Sequence, residues 1–117
     1  MAKWTGIPMS RMLEQEAEKL RWIDLDIEGG SLGDSASIDR RNKALAALQA
    51  ANPGLKVSYT LPVMPTGLTQ PGLNLLNNAK SNGVNITVVN IMTMDYGSGG
   101  GKMGQYAIQA VASTRTQ

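Results

Sequence analysis

The sequence predicts an α/β fold of about three parallel strands with flanking helices, and three observations carry that expectation. Helix-like and strand-like stretches alternate along the chain in the order α-β-α-β-α-β-α. Strand starts fall near residues 22, 56 and 86, a period of about thirty residues, which is the length of a βα unit. Each strand is followed by a loop carrying polar or unusual residues: Glu28, then residues 62–69, then Asp95 and Tyr96. In a parallel sheet these loops share one rim, where sites are built.

The elements follow in order. Residues 1–9 hold only the loop markers Gly6 and Pro8, and Ser10 is an N-cap for a helix over about 11–20, with Met12, Leu13 and Ala17 at helical spacing. The stretch Trp22-Ile-Asp-Leu-Asp-Ile-Glu28 alternates strictly. As a strand it puts Ile23, Leu25 and Ile27 on one face and Asp24, Asp26 and Glu28 on the other. Gly29 and Gly30 turn the chain after the last acid. A second helix over about 37–51 carries Ile38, Leu45 and Leu48 on one face, and Asn52-Pro53-Gly54 stops it. A second strand over about 56–61 is closed by Pro62. A third helix runs over about 71–81, with Leu73, Leu75, Leu76 and Ala79, and ends at Asn82-Gly83. The third strand, over about 86–94, is apolar enough to be buried on both faces. Residues 97–101 form a glycine loop, 103–112 a last helix, and 113–117 a polar tail.

Composition narrows the function classes. The 117 residues suit one small domain, or a piece of a larger one, and 42% hydrophobic against 17% charged marks a globular chain. With a net charge of +2, dispersed Lys and Arg and 4% aromatics, no nucleic-acid partner is expected. No apolar run approaches the roughly 20 residues of a membrane span, and the first residues lack the apolar core of a signal peptide. Cys and His are both absent, which removes Ser-His-Asp and Cys-His catalysis and the usual zinc sets. Catalysis would rest on carboxylates, Tyr, Lys or a metal held by oxygen.

Several motifs have competing explanations. The acid row is either an amphipathic edge strand facing water or a site in which crowding raises at least one carboxyl pKa. It also matches the first half of a calcium loop, but Ser35 stands at the twelfth position and Leu25 and Ile27 favour a strand. A magnesium site on the same acids stays open. The glycine run before Lys102 fails as a phosphate loop, because Tyr96 replaces its first Gly and Met103 its Ser or Thr. Met92 and Met94 suit core filling. Tyr59, opposite in face to Ser58 and Thr60, is core or rim. Trp4 and Trp22 either fill the core or stack on a sugar.

At these residues the chain resembles glycoside hydrolase family 18, the chitinases. Asp24-x-Asp26-x-Glu28 resembles the family's fourth-strand signature, Tyr59-Thr-Leu-Pro62 its fifth strand, and Val89-Asn-Ile-Met-Thr-Met-Asp-Tyr-Gly97 its sixth. The match covers about 21–112; the N-terminal segment 1–20 stays outside it, and Arg21 replaces the family's leading Asp. The resemblance implies a partial (β/α)₈ barrel, since the complete one needs about 250 residues. It implies cleavage of chitin or chito-oligosaccharides, without a cofactor, by substrate-assisted retaining chemistry. Glu28 would be the general acid and Asp26 would orient the substrate acetamide. Asp24 would lie deeper, holding Asp26 and sharing a proton with it. Asp95 and Tyr96 match the family's sixth-strand polar positions and would bind substrate, with Met92 and Met94 on the floor of the subsite. A secreted location is implied by the resemblance alone. The competing expectations are a non-catalytic chitin-binding or structural fragment and a divalent-metal hydrolase using the same acids. Three parallel strands cannot close a barrel, so a homo-oligomer joined by strand edges or the open face is expected, with exchange of the first helix as one route.

Overall fold

The computed structural model describes residues 21–94, 96 and 102–117; the helix expected over 11–20, the glycine loop 97–101 and Asp95 lie outside the described residues. The elements are β1 (Trp22–Asp26), a 3₁₀ turn (Gly29–Leu32), α1 (Ser35–Ala51), β2 (Lys56–Met64), β3 (Gly67–Leu68), α2 (Gln70–Ser81), β4 (Ile86–Met92) and α3 (Met103–Thr116). Strand β2 is central. It runs parallel to β1 on one side and to β4 on the other, and its far end pairs antiparallel with β3. The three expected parallel strands are present; β3 is an addition the sequence pattern does not reveal.

Local chemistry sets the helix limits. The Asp34 side chain accepts the Ser37 N–H at 3.3 Å, so α1 starts two residues before the expected position. The Asn52 backbone N–H donates to Leu48 O at 2.8 Å and closes the other end. Thr69 caps α2 by accepting from Gly72 N, and Pro71 stands in the first turn, where its missing N–H has no helical partner to lose. Gly83 adopts φ +84° after α2 and donates to Lys80 O while Val84 donates to Ala79 O, a left-handed closure suited to glycine.

Three expectations about boundaries and burial are corrected. Strand β2 does not end at Pro62 but continues to Met64. Ile27 N donates to Thr60 O at 3.1 Å; in a parallel ladder Pro62, two residues on, turns its missing N–H toward that same side. There β1 has already given way to the turn, so no ladder bond is lost, and Pro62 still pairs in register with Met92 of β4. Strand β4 ends at Met92 and is not buried on both faces: Thr87, Val88 and Asn90 are exposed. Among the described residues it has β2 on one side only, and helices cover one face. The register jumps from Val57↔Ile86 to Ser58↔Val88, a bulge that returns both Ile86 and Val89 to the covered face. The supposed polar tail is helical to Thr116: Ser113 Oγ donates to Pro65 O at 2.9 Å, and the Gln117 amide brackets Leu68 by accepting its N–H at 2.8 Å and donating to its C=O at 3.3 Å.

The core lies between the helices and one face of the sheet. Val57, Tyr59, Leu61 and Val63 of β2 all point there and meet Ile38 and Leu45 of α1 and Leu75 and Ala79 of α2. Each such apolar side chain contributes about 1.5–3 kcal/mol by leaving water. The other face, carrying Asp24, Asp26, Thr60, Val88 and Asn90, has no helix over it among the described residues.

Candidate active site

The period-2 alternation of β1 survives intact in the fold. Ile23, Leu25 and Ile27 turn toward the helices, and Asp24 and Asp26 turn to the open face. Glu28 lies two residues beyond the strand end, in extended backbone (φ −146°, ψ 174°), so the alternation carries on to it. All three carboxylates are exposed.

Their surroundings differ. Asp24 Oδ1 accepts from Ser58 Oγ at 2.5 Å and from Asn90 Nδ2 at 3.4 Å, and Asp24 Oδ2 accepts from Thr60 Oγ1 at 2.7 Å. Register explains the meeting: Asp24 pairs with Ser58 and Asp26 with Thr60 on β2, and Thr60 pairs in turn with Asn90 on β4. Trp22 Nε1 donates to Ser58 Oγ at 2.9 Å, and Lys56 Nζ lies 5.3 Å over the Trp22 ring. The Ser58 hydrogen bond, aided by Thr60 and Asn90, holds the Asp24 carboxyl below its ordinary range against the opposing effect of burial. The expectation of a raised carboxyl pKa is therefore not met at Asp24, because donors on an open face outweigh desolvation. Asp26 and Glu28 make no side-chain hydrogen bond or ion pair with other described residues.

The other sequence-derived candidates scatter. Met92 is half-buried at the end of β4, opposite Pro62, and Met94 beyond it is 56% exposed. Tyr96 is not on the acid-bearing face. It is buried in the helix-side core, edge-to-face with Tyr106 of α3 at 6.1 Å. Tyr59 is core, and Trp22 is 47% exposed at the start of β1. Ser58, Thr60 and Asn90 were missed as site residues; their signal was the same-face position of two hydroxyls on β2, meaningful only once register is known. Among the described residues, no three acids gather closely enough to hold a metal ion, and no helix is long and apolar enough to cross a membrane.

A largely parallel sheet flanked by helices, with an acid row along one strand and one of its members held by three donors, defines an α/β protein with a carboxylate-bearing open face. Known proteins narrow this further. The chain is 47% identical over 83 residues (68% of its length) to a probable bifunctional chitinase/lysozyme of Escherichia coli (strain K12). It is 46% identical over 83 residues to endochitinase 11 of Metarhizium anisopliae. The catalytic domain of a hyperthermophilic chitinase from Pyrococcus furiosus shares the fold over 86% of the chain, with a TM-score of 0.68 and 30% identity. The chain spans only 9% and 16% of the two curated relatives and 34% of that solved domain. A fainter likeness, 30% identity over 70 residues, is to the chaperone protein ClpB 1 of Nostoc sp.. No family model matches. Over the stretch it shares with these proteins, the chain belongs to the chitinase family.

Proposed function

We propose that this chain carries the acid centre of a chitinase-type glycoside hydrolase, set in a partial (β/α)₈ barrel, that cleaves β-1,4-linked N-acetylglucosamine polymers with retention. The observation that carries this is the row Asp24, Asp26, Glu28 on the open face of a parallel strand, in a chain 46–47% identical to named chitinases.

The chemistry follows from the order of the acids. Glu28, outermost and without a competing partner among the described residues, protonates the glycosidic oxygen as the C–O bond breaks. The carbonyl oxygen of the substrate's own acetamide attacks the anomeric carbon and forms an oxazolinium ion. Asp26 accepts the acetamide N–H and stabilises the positive charge. Water, deprotonated by the Glu28 carboxylate, then opens the ring. Asp24 supplies a steady negative charge behind Asp26. Asp95, Tyr96, Met92 and Met94 complete the subsite in this proposal, Tyr96 only if it leaves its packing against Tyr106.

The exposure of Asp26 and Glu28 favours a second reading, a substrate-binding or structural segment without turnover. One assay separates them. Purified protein should release sugar from a chito-oligosaccharide, lose that activity in Glu28→Gln, and keep it in excess chelator. Binding without release supports the second reading, and inhibition by chelator would point to a metal hydrolase instead.

A further inference from the structure

The clamp on Asp24 is more specific than a polar strand face requires. A serine hydroxyl has one proton to donate. Ser58 Oγ accepts the Trp22 indole N–H on a lone pair at 2.9 Å and donates its single proton to Asp24 Oδ1 at 2.5 Å. Thr60 engages the other carboxylate oxygen at 2.7 Å, and Asn90 adds a longer contact from β4. Ser58 is 1% exposed, whereas the acids around it are open, so this hydroxyl sits underneath the row.

We propose that Ser58, seconded by Thr60, is a positioning residue that locks the Asp24 carboxylate in one orientation, as a fixed anion one strand step from Asp26. The lock rests on hydrogen-bond geometry; its bearing on catalysis rests on the chitinase-type function proposed above. With a donor on each of its two oxygens, the Asp24 carboxylate is held in the plane those donors define and its charged form is favoured. Among the described residues, the other charged groups on this face are Asp26 and Glu28 of the acid row and Lys56 on β2; β4 brings only neutral side chains. The lowered Asp24 titration, with Ser58 its leading cause, agrees with the lock.

Carboxyl NMR across an acid titration tests the proposal in the whole chain. Asp24 should titrate at higher pH in Ser58→Ala than in the wild type and return in Ser58→Thr, which keeps the hydroxyl. Thr60→Val and Trp22→Phe should move it the same way by less, and they decide the matter should Ser58→Ala fold poorly. An unshifted Asp24 in the folded variants overturns the lock. With activity as a second readout, Ser58→Ala should lower kcat roughly tenfold or more with a smaller change in KM. If the wild type cleaves nothing, the catalytic reading falls and the titration still decides the lock.

Discussion

Tyr59 Oη donates a 2.6 Å hydrogen bond to Asn42 Oδ1, joining β2 to α1 in a part of the core where neither residue is more than 1% exposed. Asn42 passes the connection on, donating to Asn78 Oδ1 at 2.9 Å and to Leu75 O on α2. One buried amide thus ties β2, α1 and α2 together.

Tyr59→Phe leaves the Asn42 oxygen buried without its donor and should cost about 1–3 kcal/mol in urea unfolding. Burial raises the Tyr59 pKa from 10.0 to about 12. Between those values the unfolded chain has lost this proton while the folded chain keeps it, so stability falls as pH rises. The decline should amount to roughly 2–3 kcal/mol and be missing in Tyr59→Phe.

Acid acts through Asp39. Its carboxylate pairs with Lys43 at 2.6 Å and accepts from Asn78 and Asn82, with Lys43 the largest of the causes that lower its pKa to about 2. A depressed folded pKa gives stability that is present above the ordinary value of 3.8 and lost as pH falls toward about 2. Melting temperature should drop across that window. Asp39→Asn should flatten the drop in part only, because Asp24 is lowered too and titrates in the same direction.

The proposed chemistry makes the substrate its own nucleophile. Hydrolysis should therefore retain anomeric configuration, seen in the first-formed anomer by NMR, and require N-acetyl groups. Equal turnover of fully deacetylated chitosan would exclude the acetamide mechanism.

Assembly is the fourth expectation. Among the described residues, β1 and β4 each have β2 on one side only, so each presents unpaired backbone groups along its outer edge. The open face adds exposed apolar side chains, Trp22, Met64 and Val88. Sedimentation at micromolar concentration should show a dimer or larger species, and any chitinolytic activity should rise more than linearly with protein. A compact, cooperatively unfolding monomer would contradict this.

The sequence by itself determined what depends on neighbours along the chain. Alternation every second residue placed Asp24, Asp26 and Glu28 opposite Ile23, Leu25 and Ile27, and the order of caps and glycines laid out the helices between parallel strands. The motif likeness rested on those same local runs. Tertiary structure decided everything that needed two strands at once. Register, set by turn geometry and core packing over more than thirty residues of intervening chain, brought the Ser58 and Thr60 hydroxyls onto the Asp24 carboxylate. A single bulge reset the faces of β4, and the end of β1 let β2 run on through Pro62. Tyr96 went to α3 and not to the acids, because an aromatic ring that can bury itself against Tyr106 leaves water by doing so. Side-chain pattern is a property of one strand, whereas a site is a property of several, and pairing register is the quantity that connects them.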